Sequence, residues 1–164
     1  SMRAGDDRRP VMSVLLSILG GSMSSRLFQE IREKRGLAYT TYAFDSPYSD
    51  TGAWGMYAGT APERASEVEK LMQAELEKLA ATGPREDELA RVRGQLRGGM
   101  ALGLEDTLSR MSRLGRAELS GRYFSVDAAL ARIEAVQAED VRSLAEELAQ
   151  RCVFTAEVVP EDRA

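Results

Sequence analysis

The chain has 164 residues, 43% of them apolar and 29% charged, a balance that belongs to a folded domain with a core and not to a disordered tail. A formal charge of −4 gives no electrostatic footing for nucleic acid or an anionic membrane as partner, and the longest apolar run, residues 11–19, is far short of the roughly 20 residues that span a bilayer. The chain also has no histidine, which removes the commonest general base at neutral pH and the commonest zinc ligand.

Ser1 and Met2 read as a tag remnant and the following residues as loop, so 1–9 stand apart from a domain over 10–160 and a tail over 161–164. Pro10 suits a first helical turn, where a missing N–H costs nothing, and predicts a helix from Pro10 to Leu19. That helix is apolar nearly all round and belongs at the centre of the fold, with Gly20 and Gly21 as its left-handed stop. In "GGSMSS" Ser22 or Ser24 is placed to cap a second helix, whose buried stripe is Leu27, Phe28 and Ile31 and which ends at Gly36. "AYTTYAF" then alternates as a strand, with Ala38, Thr40, Tyr42 and Phe44 on one face and Tyr39, Thr41 and Ala43 on the other. With "AWGMYAG" it predicts an antiparallel hairpin across the turn-rich "DSPYSDTG", and Gly55 and Gly59 mark a close backbone approach or a bulge.

From Thr60 onward the period is helical. Thr60 and Glu63 have the spacing of a capping box, followed by Ala65, Val68, Met72, Leu76 and Leu79 at helical intervals and a stop at "TGP", residues 82–84. The next helix carries Leu89, Val92, Leu96 and Met100, and its glycines at 94, 98, 99 and 103 imply close helix packing. Three more helices follow, one with Leu108, Met111 and Leu114, one capped by Ser125, and one with Val141, Leu144 and Leu148. "CVFTAEVV" reads as a closing strand stopped by Pro160, and Cys152 at its start as a small buried apolar residue with no imidazole to activate its thiol. The order predicts one α+β domain, an antiparallel-rich sheet with helices packed on one face. No strand precedes the first helix.

Two polar side chains flank the helix-to-strand joint at Gly36. Arg32 lies at the edge of the core-facing stripe in the last helical turn, and Tyr39 lies just inside the strand. They are either a helix-end charge and an ordinary strand tyrosine, or a guanidinium and a phenol converging to hydrogen-bond a carbonyl oxygen or oxyanion. Arg35 is the second choice for the arginine. Arg110, Arg113 and Arg116 form a basic stripe, but Glu105, Asp106 and Glu118 interrupt it, so it reads as a solvated face. Gly20, Gly21 and Ser22 precede a helix as an anion-binding loop does, without the lysine or spacing of a P-loop.

Taken in order, "LGGSMSSRLFQEIREKRGLAY", "FDSPYSDTGAWGMYAGTAPE" and "LEDTLSRMSRLGR" resemble the C-terminal domain of the pitrilysin and mitochondrial-processing-peptidase family of zinc metallopeptidases. The resemblance implies two α/β halves closing like a clam, with zinc held in the N-terminal half by an inverted H-x-x-E-H motif whose glutamate is the general base. It implies that the C-terminal half supplies an Arg and a Tyr to the substrate, at Arg32 and Tyr39 here, with Gly20, Gly21 and Ser22 as further substrate-binding candidates. This chain would then hold no cofactor and be inactive alone, its partners being a peptide substrate and an N-terminal zinc-binding half or a catalytic partner subunit. The alternative is a non-catalytic substrate-binding or scaffolding subunit of the same family. The family domain begins with a strand ahead of Pro10, so this sequence reads as a fragment whose open sheet edge invites pairing with another copy as a homodimer. Its alanine and arginine content points to a bacterial source, and without a visible export segment the expected compartment is the cytoplasm.

Overall fold

Pro10 does fall in the first turn of α1 (Arg9–Gly20) in the computed structural model, which describes residues 1–151 and 153–159. A helical segment widening to π geometry over Phe28–Glu33 follows, then strands β1 (Ala38–Pro47) and β2 (Gly52–Thr60) and a 3₁₀ turn, Pro62–Arg64. The remaining elements are α2 (Ala65–Thr82), α3 (Glu86–Glu105), α4 (Thr107–Ser120), α5 (Val126–Glu134) and α6 (Ala138–Ala149).

The apolar α1 is central, as its sequence requires. Met12, Val14, Leu15 and Leu19 are completely buried, against Leu76 and Leu79 of α2, Leu89 and Val92 of α3, and Val141, Leu144 and Leu148 of α6. Each such side chain is worth about 1.5–3 kcal/mol in burial. A smaller cluster of Leu27, Ile31, Ala38 and Val68 ties the π-helical segment to the hairpin and α2. Ala43 and Trp54 of the hairpin pack on the main core and Met56 and Ala58 on the smaller one, so the helices cover one face of the sheet. Met2 is also buried in the core, and the Ala4 N–H donates to the Tyr48 carbonyl at 2.7 Å, so these first residues pack against the hairpin end.

Several expectations are corrected. Among the described residues the sheet has two strands; residues 153–159 carry no strand assignment, and Phe154 is 94% exposed. Strand propensity there finds no ladder to join; Cys152 and Pro160 lie outside the described residues. Gly21 has φ −87°, so α1 does not end in a left-handed residue. Gly20 serves close approach instead, since a Cβ there would come within 2.7 Å of the Tyr42 carbonyl carbon. Neither Ser22 nor Ser24 caps the next helix: the Ser22 Oγ accepts from the Ser24 N–H at 3.3 Å, a local turn. Thr60 ends β2 and donates to the Leu37 carbonyl, so the residue before the Pro62–Arg64 turn is Ala61 and Thr60 is not its N-cap. At glycines 94, 98 and 99 a Cβ would meet nothing within 4 Å, so these positions mark no helix contact. Leu108 and Met111 of α4 are 65% and 61% exposed where burial was expected.

Candidate functional site

The helix leading to the site is wider than an α-helix. The Lys34 N–H donates to the Gln29 carbonyl at 3.0 Å, a five-residue step, and such π turns recur at functional positions. Gly36, at φ +60°, ends it in the left-handed region, as the sequence predicts. Its N–H donates to the Arg32 carbonyl at 3.0 Å and the Leu37 N–H to the Ile31 carbonyl at 2.9 Å, a nested pair one residue wider at each step than a Schellman closure. Leu27 and Ile31 fill the core side, leaving Phe28 and Arg32 stacked on the flank with the guanidinium 4.8 Å from the ring centre.

A β-bulge then sets Tyr39. Ala38 pairs with Thr60 and Thr40 with Gly59, so Tyr39 is the extra residue opposite no partner of its own. Ala38 and Thr41 both point inward and are buried, whereas strict alternation would have put Tyr39 on the core side with Thr41 and Ala43. The bulge turns it out instead, 83% exposed, with its ring centre 5.7 Å from the Arg32 guanidinium carbon. Arg32 and Tyr39 are thus brought together, with Phe28 as a third member that the sequence reading assigned only to the core.

Arg35, the second-choice arginine, is engaged elsewhere. Glu30 accepts from Lys34 at 2.9 Å and from Arg35 at 2.5 Å, and these hydrogen bonds, Lys34 first, hold its carboxyl down at about 2 from an ordinary 4.5. Among the described residues no carboxylate pairs with Arg32, whose guanidinium N–H groups remain available to a ligand.

Beyond the bulge the hairpin's outer face is aromatic. Tyr42 stacks on Tyr57 at 4.8 Å between centroids, Phe44 lies 6.1 Å from Tyr42, and its ring covers Gly55, where a Cβ would sit 2.8 Å from it. This accounts for the strand glycine that the sequence marked as a close approach. Gly20, Gly21 and Ser22 are not part of this surface: Ser22 borders a small hollow with Ser24, Glu88 and Gln95, while Tyr39 borders an open depression with Gly36, Gly59 and Arg64.

The glutamate in that hollow is structural. Glu88 is buried and accepts from Arg26 at 2.8 and 3.0 Å and from the Arg85 N–H at 2.9 Å. Burial opposes its ionisation, and the Arg26 and Arg85 hydrogen bonds outweigh it, leaving the carboxyl below its usual range. Among the described residues no helix is long and apolar enough to cross a membrane.

Comparison with known proteins identifies the family of the chain. The family model for the peptidase M16 inactive domain matches residues 3–96. An uncharacterised zinc protease of Streptomyces coelicolor is 49% identical over 147 residues, covering 89% of this chain and 32% of that protein. The uncharacterised zinc protease YmxG of Bacillus subtilis is 38% identical over 148 residues, covering 90% of this chain and 36% of the relative. The chain therefore spans about a third of the length of these relatives. Among solved structures, a peptidase M16 inactive domain from Pseudomonas fluorescens superposes with a TM-score of 0.81 at 24% identity, over 89% of this chain and 35% of that one. A protease from Helicobacter pylori superposes at 0.82 with 19% identity, over 88% and 35%. By the family match over more than half its length, this chain belongs to the peptidase M16 inactive domains.

Proposed function

We propose that the chain is the substrate-contacting, zinc-free part of a metalloendopeptidase, in which Arg32 and Tyr39 hydrogen-bond the peptide at or beside the scissile carbonyl. The observation that carries this is their convergence: a π turn, a left-handed glycine and a β-bulge, three departures from regular backbone in succession, bring an exposed phenol to a guanidinium that pairs with no carboxylate among the described residues. A phenol offers one O–H donor and a guanidinium five N–H donors, so together they suit an oxygen that gains negative charge. The aromatic outer face, Tyr42, Phe44 and Tyr57, offers apolar contact to an extended peptide lying on the sheet. Gly20 is enclosed against β1, which leaves Gly21 and Ser22 to any substrate contact at that loop.

Zinc does not fit the residues present. The chain has no histidine, and the described residues hold no group of three or more acidic or thiol side chains that could ligate a metal. In this reading the metal and the general base lie on a zinc-binding N-terminal half or a partner subunit, and residues 10–160 form the half facing them. The relatives' names as zinc proteases and their greater length support that division.

The test is reconstitution. This chain alone hydrolyses no peptide, and joined to the rest of its polypeptide with zinc it does. A full-length polypeptide that takes up no zinc and cleaves no peptide would instead favour the non-catalytic, substrate-binding subunit.

A further inference from the structure

We propose that Thr60 and Arg64 are positioning residues that set the placement of Tyr39 relative to Arg32. The inference rests on the reading of that pair as the substrate contact, and the residues come from elsewhere in the chain. Between Arg32 and Tyr39 the backbone leaves a π turn, passes through Gly36 at φ +60° and enters a bulge. The stretch from Arg32 to Gly36 is exposed, so packing does little to hold it, and a Cβ on Gly36 would meet nothing within 4 Å.

Two side chains, one from the last residue of β2 and one just beyond it, take up the backbone carbonyls of the joint. The Thr60 Oγ1 donates to the Leu37 carbonyl at 2.5 Å, and the Arg64 Nη1 donates to the Gly36 carbonyl at 2.8 Å. Thr60 is in ladder register with Ala38, and Arg64 immediately precedes α2, whose Val68 is buried with Leu27, Ile31 and Ala38. Both bonds therefore tie the exposed joint to elements fixed by the core. The open depression that Tyr39 borders also has Thr60 and Arg64 in its wall. Small displacements of a positioned donor cost large factors in rate, so a joint freed of these bonds loses catalysis without losing its fold.

The experiment uses the full-length zinc-loaded polypeptide. Thr60→Val and Arg64→Leu each lower kcat about tenfold, with KM and thermal midpoint nearly unchanged, and Thr60→Ser and Arg64→Lys recover most of the loss. A second readout is geometric: the ring-current shift that Phe28 and Tyr39 impose on the Arg32 side-chain protons moves in Thr60→Val and returns in Thr60→Ser. Unchanged kcat in both Thr60→Val and Arg64→Leu, with Tyr39→Phe strongly impaired, overturns the positioning role and leaves the substrate-contact reading intact. Unchanged kcat in Tyr39→Phe as well overturns both, whereas an Arg32 signal indifferent to Thr60→Val overturns the positioning role alone.

Discussion

The guanidinium carbon of Arg32 lies 5.7 Å from the centre of the Tyr39 ring, and that meeting depends on a defect in the strand ladder. Without the extra residue at 39, the tyrosine would point with Thr41 into the helices. The bulge thus brings the phenol onto the open surface where Arg32, in the last turn of the π segment, is also exposed.

Three glycine substitutions should separate three physical causes. Gly36→Ala should destabilise by about 1–2 kcal/mol through φ alone, because space for the Cβ is open. Gly20→Ala should cost about 1–3 kcal/mol through collision with the β1 backbone, where φ is not at issue. Gly98→Ala, in an exposed stretch of α3 with nothing near, should stabilise by up to about 1 kcal/mol. Chemical denaturation of the three variants against wild type checks the signs.

Glu30 gives a pH dependence of known sign. Its folded carboxyl is held at about 2, below its ordinary 4.5, by hydrogen bonds from Lys34 and then Arg35. A depressed carboxylate contributes stability that is fully present above about 4.5 and is lost as pH falls through about 2. The stability difference between wild type and Glu30→Gln should therefore be constant near neutrality and shrink in that acid window. Urea titrations of both proteins across it read the effect, and a difference that grows on acidification would contradict the pairing.

Removing Arg26 should leave the buried Glu88 carboxylate without its main counter-charge. The pair is 2.8 Å apart with both side chains largely enclosed, so Arg26→Ala should cost about 3–5 kcal/mol. Adding Glu88→Gln should recover part of that loss, because the amide carries no charge to strand. A single variant as stable as wild type would show the pair to be dispensable.

Much of this fold was legible because apolar periodicity and breakers report burial directly. The all-round apolar α1, the hairpin, the Gly36 stop, the Gly83 break after α2 and the Ser125 cap of α5 all stand where the pattern put them. What alternation could not show was the bulge, since a period of two has no symbol for an extra residue, and it is the bulge that separates Tyr39 from the face it would share with Thr41 and Ala43. Residues 153–159 have strand composition, but a strand also needs a neighbour, which composition does not report. The helix α4 was evident from its amphipathic spacing, yet the pattern gives a face and not its partner, and Leu108 and Met111 stay exposed. At the site, Arg32 and Tyr39 were placed by family resemblance, while Phe28 was legible as an aromatic one helical turn before Arg32 and was read only as core.

The most direct measurement is kcat/KM for Tyr39→Phe and Arg32→Ala in the full-length, zinc-loaded polypeptide, with zinc content and thermal midpoint recorded alongside. Tyr39→Phe keeps the ring over which Arg32 lies and removes only the hydroxyl. If the two side chains stabilise the charge developing on the substrate oxygen, each variant loses on the order of 10²–10³ in kcat while binding zinc and unfolding as the wild type does. If both stay within about threefold of wild type, roughly 0.7 kcal/mol, the pair is a surface stacking contact and the proposed substrate role is wrong.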